Sequence, residues 1–114
     1  MSLLKERVVY KPFEYPKAFD YYMKQQQAHW LWTEVPMAQD VTDWKTTLKD
    51  HEKNIVGGIL KGFAQTETVV NDYWTGLVTG WFRKPEVIAM ATTFGCFETI
   101  HAEAVSYTHL TLPT

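Results

Sequence analysis

The chain has 114 residues, of which 46% are hydrophobic, 21% charged and 15% aromatic, with a formal net charge of −2. That length suits one small domain and excludes two; apolar content this high with so little net charge excludes a disordered chain, and no apolar run approaches the ~18 residues of a membrane span. A near-neutral balance also excludes the clustered Lys and Arg of a nucleic-acid surface. Charges begin at Lys5, so the N-terminus lacks the apolar block of a secretory signal. A lone cysteine, Cys96, cannot make an intrachain disulfide or a thiolate cluster, which points to the reducing cytoplasm.

Residues 8–16 carry Pro12 and Pro16 among aromatics and read as an extended N-terminal arm, because each proline disfavours helix at the residue before it. Pro16 is a favoured first-turn residue, and the pattern Ala18, Tyr22, Gln26 predicts a helix from there to about Trp32, ended by Val35-Pro36. Residues 36–47 read as a polar connection with Asp40 and Asp43 as candidate caps. A long helix is predicted from about Lys49 to Trp81. Its apolar face carries Val56, Ile59, Leu60, Phe63, Val70, Trp74, Leu77, Val78 and Trp81 at alternating spacings of three and four. Gly57, Gly58, Gly62 and Gly76 mark either close helix contacts or a kink in it. Pro85 and Glu86 start a last helix that is apolar on two faces, Val87/Ala91/Phe94 and Met90/Phe97/Ile100/Ala104. A helix apolar nearly all round belongs to the interior of something large. The fold class is therefore all-α.

Three residues break the apolar rows. Glu67 falls on the row Leu60, Phe63, Val70, Trp74, and Glu98 with His101 continues the row Val87, Ala91, Phe94. Glu98 and His101 are three apart, so they share one helix face. An unpaired ionised carboxylate is costly on such a face, and a metal ion is the economical compensation. Carboxylates with one imidazole suit iron or manganese better than zinc. A Glu with a Glu-x-x-His pair is also half of the ligand set of di-iron carboxylate bundles. The plain alternative is an edge carboxylate reaching water. Asp72 is a rival, but five residues from Glu67 it is rotated off that face. His29 and His51 have no carboxylate at ligand spacing and read as surface residues, and Cys96 reads as a small core hydrophobe.

The stretch from Gln65 to Trp74, followed by Phe97-Glu98-Thr99-Ile100-His101-Ala102-Glu103-Ala104, resembles the small, radical-generating subunit of class I ribonucleotide reductase. The resemblance runs from about Arg7 to Ala104 and includes Trp30-Leu31-Trp32-Thr33-Glu34-Val35 and Asp40-Val41-Thr42-Asp43-Trp44. It implies part of a ferritin-like helical bundle, a homodimer and a large-subunit partner. It also implies a dinuclear iron or manganese–iron centre that uses oxygen to generate the radical for reducing ribonucleotides to deoxyribonucleotides for DNA synthesis. Glu67 matches a terminal ligand, Glu98 a carboxylate bridging the two metals, and His101 a nitrogen ligand. Trp30 matches the tryptophan of the radical-transfer route, with Trp32 the substitute if the register slips. The family's second Glu and second Glu-x-x-His come from later helices, so the 114 residues by themselves are expected to be catalytically inactive.

Residues 1–104 thus read as the N-terminal part of the family domain, and 105–114 as a non-native tail. Where the family commonly has a radical tyrosine this chain has Val105, and Tyr107 faces elsewhere. The run from Val105 to Thr114 holds three threonines and a proline, poor company for a helix. It can be encoded as GTC TCT TAT ACA CAT CTG ACG CTG CCG ACG, which resembles the mosaic-end adapter of transposase-based sequencing libraries translated in frame. Such a tail is expected to add little buried contact. Two other functions stay open on the residues alone: a ferritin-like metal oxidase that never meets a large subunit, and a non-catalytic helical interaction module.

Overall fold

The computed structural model describes residues 2–111, with side chains as far as Tyr107. Among the described residues there is helix, turn and irregular chain but no strand. Helix α1 spans Pro16–Gln27, a single 3₁₀ turn Trp32–Glu34, α2 Ala38–Thr46 and α3 Asp50–Asp72. A π-helical segment Tyr73–Val78 continues α3 into α4, Thr79–Trp81, and α5 runs Pro85–Thr111. No described helix is long and apolar enough to cross a membrane. The chain divides into two compact units, Met1–His29 with Val69–Glu98 and Trp30–Thr68 with Thr99–Thr114.

In the first unit Val78, Val87 and Ala91 are buried, with Leu3, Ala18, Trp74, Phe82 and Met90 packed against them. The arm before α1 is non-helical, as its prolines predict. Four charges fasten it. Glu86, in the first turn of α5, is fully buried and takes both terminal nitrogens of Arg7 together with the backbone N–H groups of Glu14 and Tyr15. Lys84, 2% exposed, donates from Nζ to Glu14 Oε2 at 2.8 Å. Arg7 also donates to the carbonyls of Val9 and Tyr10, which closes the arm on itself.

α1 begins at Pro16 as expected but stops at Gln27, not near Trp32. The Ala28 and His29 N–H groups turn back to carbonyls of the last turn. Glu34 Oε2 then accepts the Leu31 N–H at 2.6 Å and starts a separate turn. Trp32, Thr33 and Val35 are poor helix formers, so the chain gains nothing by continuing α1.

The polar connection expected at 36–47 is instead helix α2. Met37 and Trp44 are buried, and Val41, Leu48, Val56, Leu60 and Tyr107 pack around them to form the core of the second unit. The spacing Val41, Trp44, Leu48 is the signal that its surface charges conceal. Asp40 sits in the first turn and Asp43 takes side-chain hydrogen bonds from Gln39 and Thr47; the N-cap is Met37. Trp44 Nε1 is buried without a partner. Trp44→Ala should cost about 4 kcal/mol, whereas Trp44→Phe, which removes the orphaned N–H, should cost no more than about 1 kcal/mol. Urea unfolding followed by circular dichroism measures both, and equal losses would contradict this account of the site.

The long helix is present from Asp50, but its apolar residues are not one buried face. Ile59, Phe63, Leu77 and Trp81 are each 44–53% exposed, and Ile55 and Val69 are more so, at 58% and 61%. Periodicity identifies an apolar side; it does not say what covers it. Gly76 lies in the π segment, but a Cβ added at Gly57, Gly58 or Gly62 would meet nothing within 4 Å. The close approach is at Gly95 of α5, where a Cβ would press into Thr75 Cγ2.

α5 matches its two-faced reading: Val87, Ala91 and Phe97 are buried, and Met90, Phe94, Ile100 and Ala104 half-buried. Cys96 is exposed rather than core, because it points away from both apolar faces. The helix does not stop at Ala104. It continues to Thr111, since extending an existing helix adds a hydrogen bond per residue without a new nucleus, and that outweighs modest propensity losses. Tyr107 is half-buried and its ring lies 5.1 Å from that of Trp32. Residues 112–114 lie outside the described residues.

Candidate metal centre

α3 carries Glu67 and α5 carries His101 into the second unit, where His101 Nδ1 lies 3.5 Å from Glu67 Oε2. Their side chains are 20% and 39% exposed, so water reaches the pair without flooding it. Glu98 is the last residue of the first unit, one turn before His101 on the same unbroken helix. Residues three apart on a helix are neighbours, so the Glu-x-x-His spacing alone aligns those two side chains. One ligand atom from each of Glu67, Glu98 and His101 lies within 4.8 Å of the others. Donors bound at about 2.1 Å to one ion stand at most about 4.2 Å apart, so small side-chain rotations would complete the contact.

The donor set fits an ion of this kind. Two carboxylates gathered at a half-buried point repel each other, and a divalent cation between them relieves that repulsion. Two oxygen donors with one imidazole could together hold a divalent metal ion.

Trp30 is half-buried in the link between α1 and the 3₁₀ turn, and its ring stacks on His101 with centroids 6.0 Å apart and planes 24° apart. Trp32 packs against Tyr107 instead, at 5.1 Å and 57°. His29 is exposed, edge-on to Phe97, and His51 is exposed on α3. Asp72 is exposed, with its carboxylate beside Gly76 on its own helix. None of these belongs to the ligand cluster, in agreement with their spacing.

Reading the sequence assigns no role to Asn71 or Gly95. In the structure Asn71 Nδ2 donates to the Gly95 carbonyl at 2.7 Å. The available signal was positional: Asn71 stands four residues after Glu67, on the same face of α3, where an amide has no reason to be unless it has a partner.

A family model described as ribonucleotide reductase, small chain, matches residues 7–114. The chain is 41% identical over 108 residues to a probable ribonucleoside-diphosphate reductase small subunit of Invertebrate iridescent virus 6, an alignment covering 94% of this chain and 30% of that protein. It is 37% identical over 112 residues to the corresponding protein of Invertebrate iridescent virus 3, covering 96% of this chain and 28% of the other. A ribonucleoside-diphosphate reductase small subunit of Dictyostelium discoideum is 29% identical over 105 residues, covering 90% and 30%. The chain thus spans under a third of the length of these relatives. Carboxylate, Glu-x-x-His and aligned neighbours agree on one origin: the chain belongs to the ribonucleotide reductase small-chain family, as part of its ferritin-like all-α bundle.

Proposed function

We propose that this chain supplies half of the metal centre of a ribonucleoside-diphosphate reductase small subunit, which generates the radical that starts ribonucleotide reduction. The observation that carries the reading is the convergence of Glu67, Glu98 and His101. Glu67 and His101 would hold one metal, and Glu98 would bridge it to a second whose remaining ligands come from outside these 114 residues. When bound, the dinuclear iron or manganese–iron centre supplies the oxygen activation from which the oxidising equivalent arises. This chain's own part is to bind, orient and connect. His101 presents its imidazole edge to the Glu67 carboxylate, and Trp30 lies against its face. That stacking puts an oxidisable indole beside a ligand, and it favours Trp30 over Trp32 as the residue of the radical-transfer route.

The whole protein, on this reading, works as a homodimer with a large subunit in the cytoplasm. The three donors gathered among the described residues are too few for a closed two-metal site. They should bind Fe²⁺ or Mn²⁺ weakly, because water fills most of the coordination sphere. Anaerobic titration with Fe²⁺, then exposure to oxygen under electron paramagnetic resonance, tests this; weak binding and no radical signal are expected. Tight binding of two irons per chain, or a stable radical, would contradict the half-site reading. A full-length sequence lacking a second Glu-x-x-His would instead favour the interaction-module reading.

We also assign residues 105–114 to adapter rather than to the natural protein, on the codon string. Genomic reads that cross codon 105 should diverge from this sequence there. Reads that continue in it, free of adapter, would restore Val105 and Tyr107 as native.

A further inference from the structure

The arm, α1, the π segment and the start of α5 meet around a cavity of about 350 Å³ that lies wholly within the first unit. Leu3, Ala18, Val78 and Met90 give it aliphatic walls, and the rings of Tyr15, Tyr73, Trp74 and Phe82 give it aromatic ones. Its size is that of a small-ligand pocket, a site that is typically apolar with a few polar groups to fix orientation. Tyr73, Trp74 and Val78 belong to the π segment. Such segments are rare in helices and occur mostly at functional sites.

The lining carries a single charge, Lys17 of α1, which is exposed at the rim and makes no ion pair among the described residues. A ligand here meets that cation at the mouth and the half-buried rings of Trp74 and Phe82 inside. A cationic ligand would be repelled by Lys17. A saturated chain would forgo the edge and face contacts that rings make with one another beyond simple burial. We propose that the cavity binds a small aromatic carboxylate, its ring system among the aromatic walls and its carboxylate paired with Lys17. The site shares no residue with the metal cluster.

The test is equilibrium dialysis of the 114-residue chain against 2-naphthoate and its neutral analogue 2-naphthylmethanol. Wild type should bind 2-naphthoate below about 1 mM, as a ligand of that size in a preformed pocket does. Lys17→Gln keeps helix propensity and removes the charge. It should weaken 2-naphthoate about threefold, the size of an exposed ion pair, and leave the alcohol unchanged. Ala18→Phe fills the cavity and should weaken both probes at least tenfold. Leu77→Ala trims the exposed apolar row outside the cavity and should change neither. Urea curves place each variant on its native baseline, and Lys17→Gln, a surface change, decides the case if Ala18→Phe does not fold. No binding of 2-naphthoate by wild type at 1 mM would overturn the proposal. So would a Lys17→Gln effect that is absent or equal for both probes, an Ala18→Phe chain that folds and binds like wild type, or a Leu77→Ala loss as large as that of Ala18→Phe.

Discussion

Glu98→Ala and His101→Ala should each lower divalent-metal affinity on the order of a hundredfold, while Asp72→Ala leaves it unchanged. The magnitude follows from the donor count. Among the described residues three side chains gather at the site, so each removal deletes a direct ligand, not merely a group supporting one. For a weak mononuclear site, a loss of that size brings the affinity to that of scattered surface carboxylates. Asp72 provides the contrast, being of the same chemical type on the same helix but exposed and outside the cluster. Isothermal titration with Mn²⁺ measures the series. An Asp72→Ala loss equal to that of Glu98→Ala would mean that diffuse acidity, not the cluster, holds the ion.

Glu86→Ala should destabilise the first unit by about 3 kcal/mol. Its carboxylate is fully buried and accepts from Arg7 and from two backbone N–H groups of the arm. Removing it strands the Arg7 guanidinium, which is only 14% exposed, and orphans those amides. Because the penalty comes from the partner left behind, replacing both members together (Arg7→Met with Glu86→Leu) should cost less than the sum of the two single changes. Urea unfolding with hydrogen exchange at residues 7–15 checks this; an arm that stays protected in Glu86→Ala would show that the clasp does not hold it.

The same clasp sets a pH dependence. Burial pushes the Glu86 carboxyl up, but the Arg7 guanidinium and backbone N–H groups outweigh it and hold its pKa below the ordinary value. Glu14 is lowered by Lys84 first and by Arg7 as well. Groups with lowered folded pKa values contribute stability that is fully present above the ordinary carboxylate range and is lost as the pH falls through the lowered values. The arm should therefore stay fastened at neutral and mildly acidic pH and release only in stronger acid. Protection of the Glu14 and Tyr15 amides, followed across that range, is the measurement.

The candidate site was legible in the chain because its signal is local. Glu98 and His101 are one turn apart on a helix whose apolar residues declare it, and Glu67 interrupts a row of its own. The fold class was legible for the same reason, as was the start of α1 at Pro16, since a proline acts on its immediate neighbours. Where surface composition masked a core stripe, the sequence misled: α2 reads as polar until Val41, Trp44 and Leu48 are seen packed together. The end of α1 at Gln27, where the Ala28 and His29 N–H groups turn back to its last carbonyls, was a choice among near-equal local structures that propensity cannot rank.

Contacts between residues distant in the chain were decided only by the tertiary structure. Nothing near Glu86 in sequence announces Arg7, 79 positions away, as its partner, and nothing near Asn71 announces Gly95. Helical periodicity says which residues share a face, but not which face of another helix it meets or at what height. So the amino-acid order made legible the all-α class and the side chains that could bind a metal, but not helix α2. Packing decided that Trp30, not Trp32, lies on His101, that Cys96 faces outward, and that the Gly95 carbonyl takes the Asn71 amide.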